Sequence, residues 1–251
     1  MFRYILIALT IFSSFQLNAD QPTGGFDDAR PVQWNGTPPW AYPVHGVDVA
    51  RYQGNPDWNT LKGEGVSFAY IKATEGADVV DPSFAYNWSS TANLGIARGA
   101  YHFYYFCSSP EAQAAWFIRN VPRLKGNLPP VIDIELNPDS NTCRHVPSPN
   151  EAIDVISRFA NILEVHYGQR PIIYTATNFY KQFELGRLRA LEFWLRSTRE
   201  VPASAYPGQR WTFWQYSATA RIPGVRGNID VNVFNGSSAD WRKWTDARAI
   251  K

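Results

Sequence analysis

From about residue 45 onward the chain alternates between apolar runs and joints rich in polar residues, Pro and Gly. Eight of the runs read as strands: HGVDVA (45–50), SFAYIKAT (67–74), ARGAYHFYYF (97–106), PPVIDIEL (129–136), RPIIYTA (170–176), LEFWLRS (191–197), WTFWQYS (211–217) and NIDVNVF (228–234). Several are apolar almost throughout, the pattern of parallel strands covered on both faces. Helix signals lie between them. Asp81-Pro82 supplies an N-cap and a first-turn Pro ahead of SFAYNWSSTANLG, which Gly95 stops, and Ser109-Pro110-Glu111 starts EAQAAWFIRN in the same way. Ser148-Pro149 opens a long amphipathic stretch that ends at Gly168, and TNFYKQFELG reads as a shorter helix. Between the sixth, seventh and eighth strands there are Pro, Gly and Ser but no helical period, and SSADWRKWTDARAI predicts a terminal helix. Eight strands, the first five with helical crossovers, predict a single α/β domain over 45–251: an irregular TIM-like (β/α)5(β)3 barrel.

Two segments precede the barrel. Residues 1–19 carry one early cation, Arg3, an apolar stretch from Tyr4 to Phe15, and Ala19 ahead of Asp20, the shape of a secretory signal peptide. The apolar stretch is short of the roughly 20 residues of a spanning helix, so the expectation is export to periplasm or medium with no integral membrane span left after cleavage. Residues 20–44, rich in Pro and Gly, read as an extended arm pinned to the domain by Trp34, Trp40 and Tyr42. Loss of the leader takes the formal charge from +2 to +1, a balance that gives no case for nucleic acid as a partner. Cys107 and Cys143 are the only cysteines, and in an oxidising compartment an even pair predicts one disulfide. It would close a loop of about 36 residues near the third and fourth strand ends.

The strands also carry acids: Asp48 in the first, Asp133 and Glu135 in the fourth, Asp230 in the eighth. Strands one and eight are neighbours in a closed barrel, which brings Asp48 near Asp230. Positions i and i+2 share a strand face, so Asp133 and Glu135 project together. Carboxylates inside a barrel are expensive to bury, and no Lys or Arg within the fourth strand neutralises this pair. Crowded acids raise one another's pKa, which keeps one protonated near neutral pH, as glycoside hydrolysis requires. Aromatic residues are 15% of the chain, with 10 Trp and 13 Tyr. Tyr101, Phe103, Tyr174, Trp194 and Trp214, on the same strands, are candidates to line a saccharide groove, with core packing as the competing reading of each.

In order along the chain, HGVDVARYQG, DWNTLKGEGVSFAYIKATEG, ARGAYHFYYF, PPVIDIE, PIIYT, FWQYS and NIDVNVFNG resemble the family 25 glycoside hydrolases, the Chalaropsis-type lysozymes or N-acetylmuramidases. The likeness runs from about His45 to Gly236. It implies a barrel of five β/α units followed by strands without regular helices, no cofactor, peptidoglycan glycan strands as substrate, and a monomer. It implies Glu135 as general acid and base, Asp133 as the acid that orients the substrate's 2-acetamido group, and Asp48 and Asp230 as further active-site aspartates. Tyr70, Lys72 and Glu75 fall in its AYIKATEG block, Glu75 ranking lower because it can simply pair with a nearby cation, and Tyr101, His102, Tyr174 and Gln215 lie in matching motifs near the cleft. One departure bears on subsite preference. Where many members read Trp followed by Ile-Ala and a Tyr, this chain has Trp194-Leu195-Arg196-Ser197-Thr198, with a cation in place of a small residue.

The implied activity is a retaining β-1,4-N-acetylmuramidase cutting between N-acetylmuramic acid and N-acetylglucosamine. Two alternatives remain open: a chitin-type glucosaminidase, against which the absence of a longer acid series argues, and a non-catalytic glycan-binding protein, for which four crowded acids are superfluous. The four histidines, His45, His102, His145 and His166, are scattered and show no HExxH or Cys/His clustering, so no metal site is expected.

Overall fold

The computed structural model describes residues 26–136 and 140–251; the expected leader and the first residues of the arm lie outside them. Eight strands form the barrel: β1 His45–Val49, β2 Phe68–Glu75, β3 Ala97–Phe103, β4 Val131–Ile134, β5 Ile172–Ala176, β6 Glu192–Arg196, β7 Phe213–Arg221 and β8 Ile229–Phe234. Each pairs with the next, and β8 closes on β1. Pairing is parallel from β1 through β7, whereas β8 runs antiparallel to both neighbours. Five helices make the crossovers between β1 and β6: α1 Trp58–Gly63, α2 Phe84–Asn93, α3 Pro110–Asn120, α4 Pro149–Tyr167 and α5 Thr177–Gln182. Only the four-residue α6, Pro202–Ala205, interrupts the last third before the terminal α7, Ser238–Arg248.

Local chemistry explains the helix ends. Ser148 and Glu151 form a reciprocal capping box at the start of α4, and Gly168 closes it at φ 70°, a conformation glycine adopts without a Cβ penalty. The expected cap at Asp81 is displaced. The α2 helix starts at Phe84, and Asp81 instead accepts from the backbone N–H groups of Ser83 and Arg51, tying this loop to the segment after β1.

Strand alternation sorts side chains into two cores. Val47, Ile71, Ala100, Ile132, Ile134, Ile173, Phe193 and Leu195 face outward against the helices. Phe68, Tyr70, Val131, Ile172, Trp194 and Phe213 fill the interior. Gly99 is needed there, because a Cβ would lie 2.2 Å from the Tyr70 ring. At the N-terminal end of the parallel strands, Trp241 and Trp244 of α7 stack on each other and pack against Phe213 and Phe234. Arg248 pairs with Glu192 at 2.8 Å and Trp244 donates to the same carboxylate. That end is plugged, so an interior cleft can open only at the opposite mouth.

The described part of the arm, from Phe26, is ordered against the barrel. Asp27 and Asp28 pair with Arg221 and Ala220 of β7, and Trp34 and Tyr42 pack edge-on against Trp214 and Trp211. Trp40 differs from the expectation: it is 41% exposed.

Candidate active site

A cleft of about 340 Å³ opens at the free mouth. Asp48, Asp133, Glu135 and Asp230 all line it, with Lys72, Glu75, Tyr101, Phe103, Tyr174 and Trp194. Asp133 follows Val131 on the inward face of β4, and Glu135 is the first residue beyond the strand, where the interior gives way to open space. Asp230 stands directly opposite Asp48 in the β8–β1 ladder. Because β8 is antiparallel, Asp230 reaches the mouth from the beginning of its strand; the other acids sit near the ends of theirs.

A β-bulge between Lys72 and Thr74 resets the alternation in β2. Thr74 turns outward, and Glu75 turns into the cleft. There Glu75 accepts from Lys72 at 2.7 Å and from the Tyr105 hydroxyl, which together hold its carboxyl below the usual range against the opposing effect of burial. The Lys72 ammonium also lies over the Phe103 ring, 4.9 Å from its centroid.

The electrostatics separate these acids. Burial raises the pKa of Asp48 to about 6, against hydrogen bonds donated to its Oδ2 by Asn232 (2.8 Å) and Gln215 (2.9 Å). Asp230 is raised well above the carboxylate range by burial and by the Asp48 charge, to which it hydrogen-bonds. Asp133 is raised well above its usual value by burial first and by Glu135 second. Its Oδ1 is buried and has no hydrogen-bond partner among the described residues. Burial raises Glu135 too, with Arg196 pulling the other way. A carboxylic acid kept protonated beside ionised ones is the arrangement that donates a proton to a departing oxygen and stabilises the cation left behind.

The profile of glycosyl hydrolases family 25 matches residues 47–225, most of the barrel and three of these four acids. The chain belongs to family 25. Among similar proteins, Lysozyme M1 of Streptomyces globisporus is 40% identical over 207 residues, covering 78% of this chain and 69% of its own. An N,O-diacetylmuramidase of Arthroderma benhamiae is 30% identical over 203 residues, covering 77% of this chain and 83% of its own. The structure of a family 25 glycosyl hydrolase from Bacillus anthracis superposes with a TM-score of 0.73 at 37% identity, over 81% of this chain and 94% of that one.

Within this glycoside hydrolase, four residues expected at the cleft occupy other places. Tyr70 is fully buried beneath the floor, its ring 5.1 Å from that of Trp194, because its strand position falls one layer below the mouth. His102 points outward from β3. It bonds Thr74 and Gln113 and stacks on Phe159 of α4, and burial lowers its pKa to about 4. Trp214 also faces outward, donating to the Ser197 carbonyl and packing under the arm. Gln215 faces inward but is buried behind the acids, accepting from the Tyr174 hydroxyl and donating to Asp48. Conversely, Arg51, Tyr52 and Gln53 line the cleft and were not singled out. Their signal was the RYQG turn: Gln53 accepts from the Ala50 N–H, Gly54 adopts φ 62°, and Tyr52 is left 74% exposed at the rim. The disulfide between Cys107 and Cys143 is present, spanning 36 positions and joining the loops after β3 and β4.

Among the described residues, no helix is long and apolar enough to cross a membrane.

Proposed function

We propose that this family 25 enzyme is an exported lysozyme, a β-1,4-N-acetylmuramidase that cleaves peptidoglycan between N-acetylmuramic acid and N-acetylglucosamine with retention. The observation that carries the reading is the convergence of Glu135, Asp133, Asp48 and Asp230 at one cleft whose floor is Trp194 and Tyr174. The relatives named as lysozyme and muramidase support the same choice of substrate, and the leader-like residues 1–19 with a disulfide support export.

In this mechanism Glu135, whose carboxyl burial pushes above its usual range, gives its proton to the glycosidic oxygen as the bond breaks. The unpartnered Oδ1 of Asp133 receives the N–H of the 2-acetamido group and aims its carbonyl oxygen at the anomeric carbon, to which it bonds as the leaving sugar departs; attack by water then breaks that bond and restores the acetamido group. The Asp48–Asp230 pair supplies negative charge facing the positive sugar ring. Glu135, now ionised, then takes a proton from the water that completes hydrolysis. Tyr101, Tyr174, Trp194 and the exposed Tyr52 offer aromatic faces to the sugar rings.

Reducing-end analysis of digested peptidoglycan tests the assignment. New muramic acid ends are expected; new glucosamine ends would replace this reading with the glucosaminidase, and binding without new ends would replace it with a glycan-binding protein.

A further inference from the structure

Arg196 is the last residue of β6, and its place on the strand fixes where it faces. Phe193 and Leu195 pack outward against the helices, whereas Trp194 lies in the barrel interior and floors the cleft. Alternation therefore puts Arg196 on the inward face, one step above Trp194 and toward the mouth. Its register partners are Ala176 on β5, which leaves room beside it, and Gln215 on β7, which is turned toward Asp48.

The two cations that line the cleft itself are engaged. Lys72 is paired with Glu75, and Arg51 lies over the Tyr52 ring, 5.2 Å from its centroid, and bonds its hydroxyl. Arg196 makes no hydrogen bond or ion pair with a side chain among the described residues, although its charge acts on Glu135, Asp230 and Asp48. A half-buried guanidinium whose five donors lack partners among the described residues is poised for a planar oxyanion arriving with a ligand.

On the muramidase reading, we infer that Arg196 is a specificity residue that binds a carboxylate carried by the muramoyl unit. The group is either the lactyl carboxylate itself or the first free carboxylate of the attached peptide. Glucosamine units carry no such group, so this contact favours muramoyl-containing strands over chitin-like ones.

Calorimetric binding tests the contact without requiring cleavage. The probes are the N-acetylglucosaminyl-N-acetylmuramic acid disaccharide with its lactyl carboxylate free, its methylamide, the disaccharide bearing a dipeptide with free carboxylates, and the fully amidated form of that conjugate. The wild type is expected to bind at least one acid form about tenfold more tightly than its amide. The arm that shows the preference identifies the source of the carboxylate. Arg196→Gln is expected to abolish the preference, and Arg196→Lys to keep part of it by retaining the charge without the fork. An unchanged preference in Arg196→Gln, or equal weakening of acid and amide forms, overturns the inference. Equal binding of acid and amide forms by the wild type overturns it while leaving the muramidase reading intact. Binding of neither form overturns both.

Discussion

Asp230 and Asp48 face each other across the antiparallel β8–β1 ladder and share a hydrogen bond, so the two strands that close the barrel also join two acids. Two carboxyls in that position cannot both ionise without repulsion, and the structure offers only one of them strong donors. Asn232 and Gln215 both point at Asp48, which marks it as the ionised partner and Asp230 as the protonated one.

That division has a consequence for stability. The folded protein holds Asp48 at about 6, above the 3.8 of an ordinary Asp. Between those values it keeps a proton that the unfolded chain releases, so stability falls as pH rises through this window. At neutral pH the buried, ionised group is therefore destabilising. Asp48→Asn, whose amide oxygen can still accept from Asn232 and Gln215, should raise the melting temperature at pH 7.5 and leave it nearly unchanged at pH 4. Thermal melts at both pH values measure this, and hydrolysis should fall in the same variant.

Arg196 makes a second electrostatic prediction, separate from ligand binding. Its charge favours the ionised form of Glu135, opposing burial and the nearby Asp48. Removing it raises the pKa of Glu135 further, so the basic limb of the kcat/KM profile should move to higher pH in Arg196→Gln. Arg196→Lys should show a smaller displacement. Profiles of all three proteins decide the sign.

The Lys72–Glu75 pair is mostly buried, with side-chain exposures of 12% and 17%. Breaking it from one side strands a charge. Lys72→Met should lower stability by about 3 kcal/mol, and adding Glu75→Gln should recover part of the loss. Denaturant unfolding of the single and double variants measures the coupling.

The Cys107–Cys143 bridge closes a 36-position loop between the segments leaving β3 and β4, next to Glu135. Replacing both cysteines by Ser should lower stability by about 3–4 kcal/mol on the chain-entropy account. The groove wall would also loosen, which should appear as a raised KM with kcat less affected.

Much of this was legible from residue patterns, and each failure has a physical cause. The eight apolar runs became the eight barrel strands, and the acids at 48, 133, 135 and 230 converge because i and i+2 share a face and a closed barrel joins its first and last strands. Strands covered on both faces are apolar on both, so their periodicity does not say which side is inward. Trp214 and His102 were therefore expected at the cleft and face outward, while Tyr70 faces inward one layer too low. The bulge that turns Glu75 into the cleft leaves no mark in the spacing of FAYIKATE. The reversed direction of β8 was equally silent, because a strand reads the same in parallel and antiparallel pairing. Tyr52 was missed because it belongs to a turn, where hydrophobic pattern carries no signal.

The central claim, that Glu135 donates the proton, is tested most directly by the rate at which Glu135→Gln releases muramic acid reducing ends from purified peptidoglycan. The amide keeps the shape of the carboxyl and removes its proton chemistry. The expected result is a loss of at least about a hundredfold with an unchanged circular dichroism spectrum. A folded Glu135→Gln variant that works at close to the wild-type rate would contradict the account.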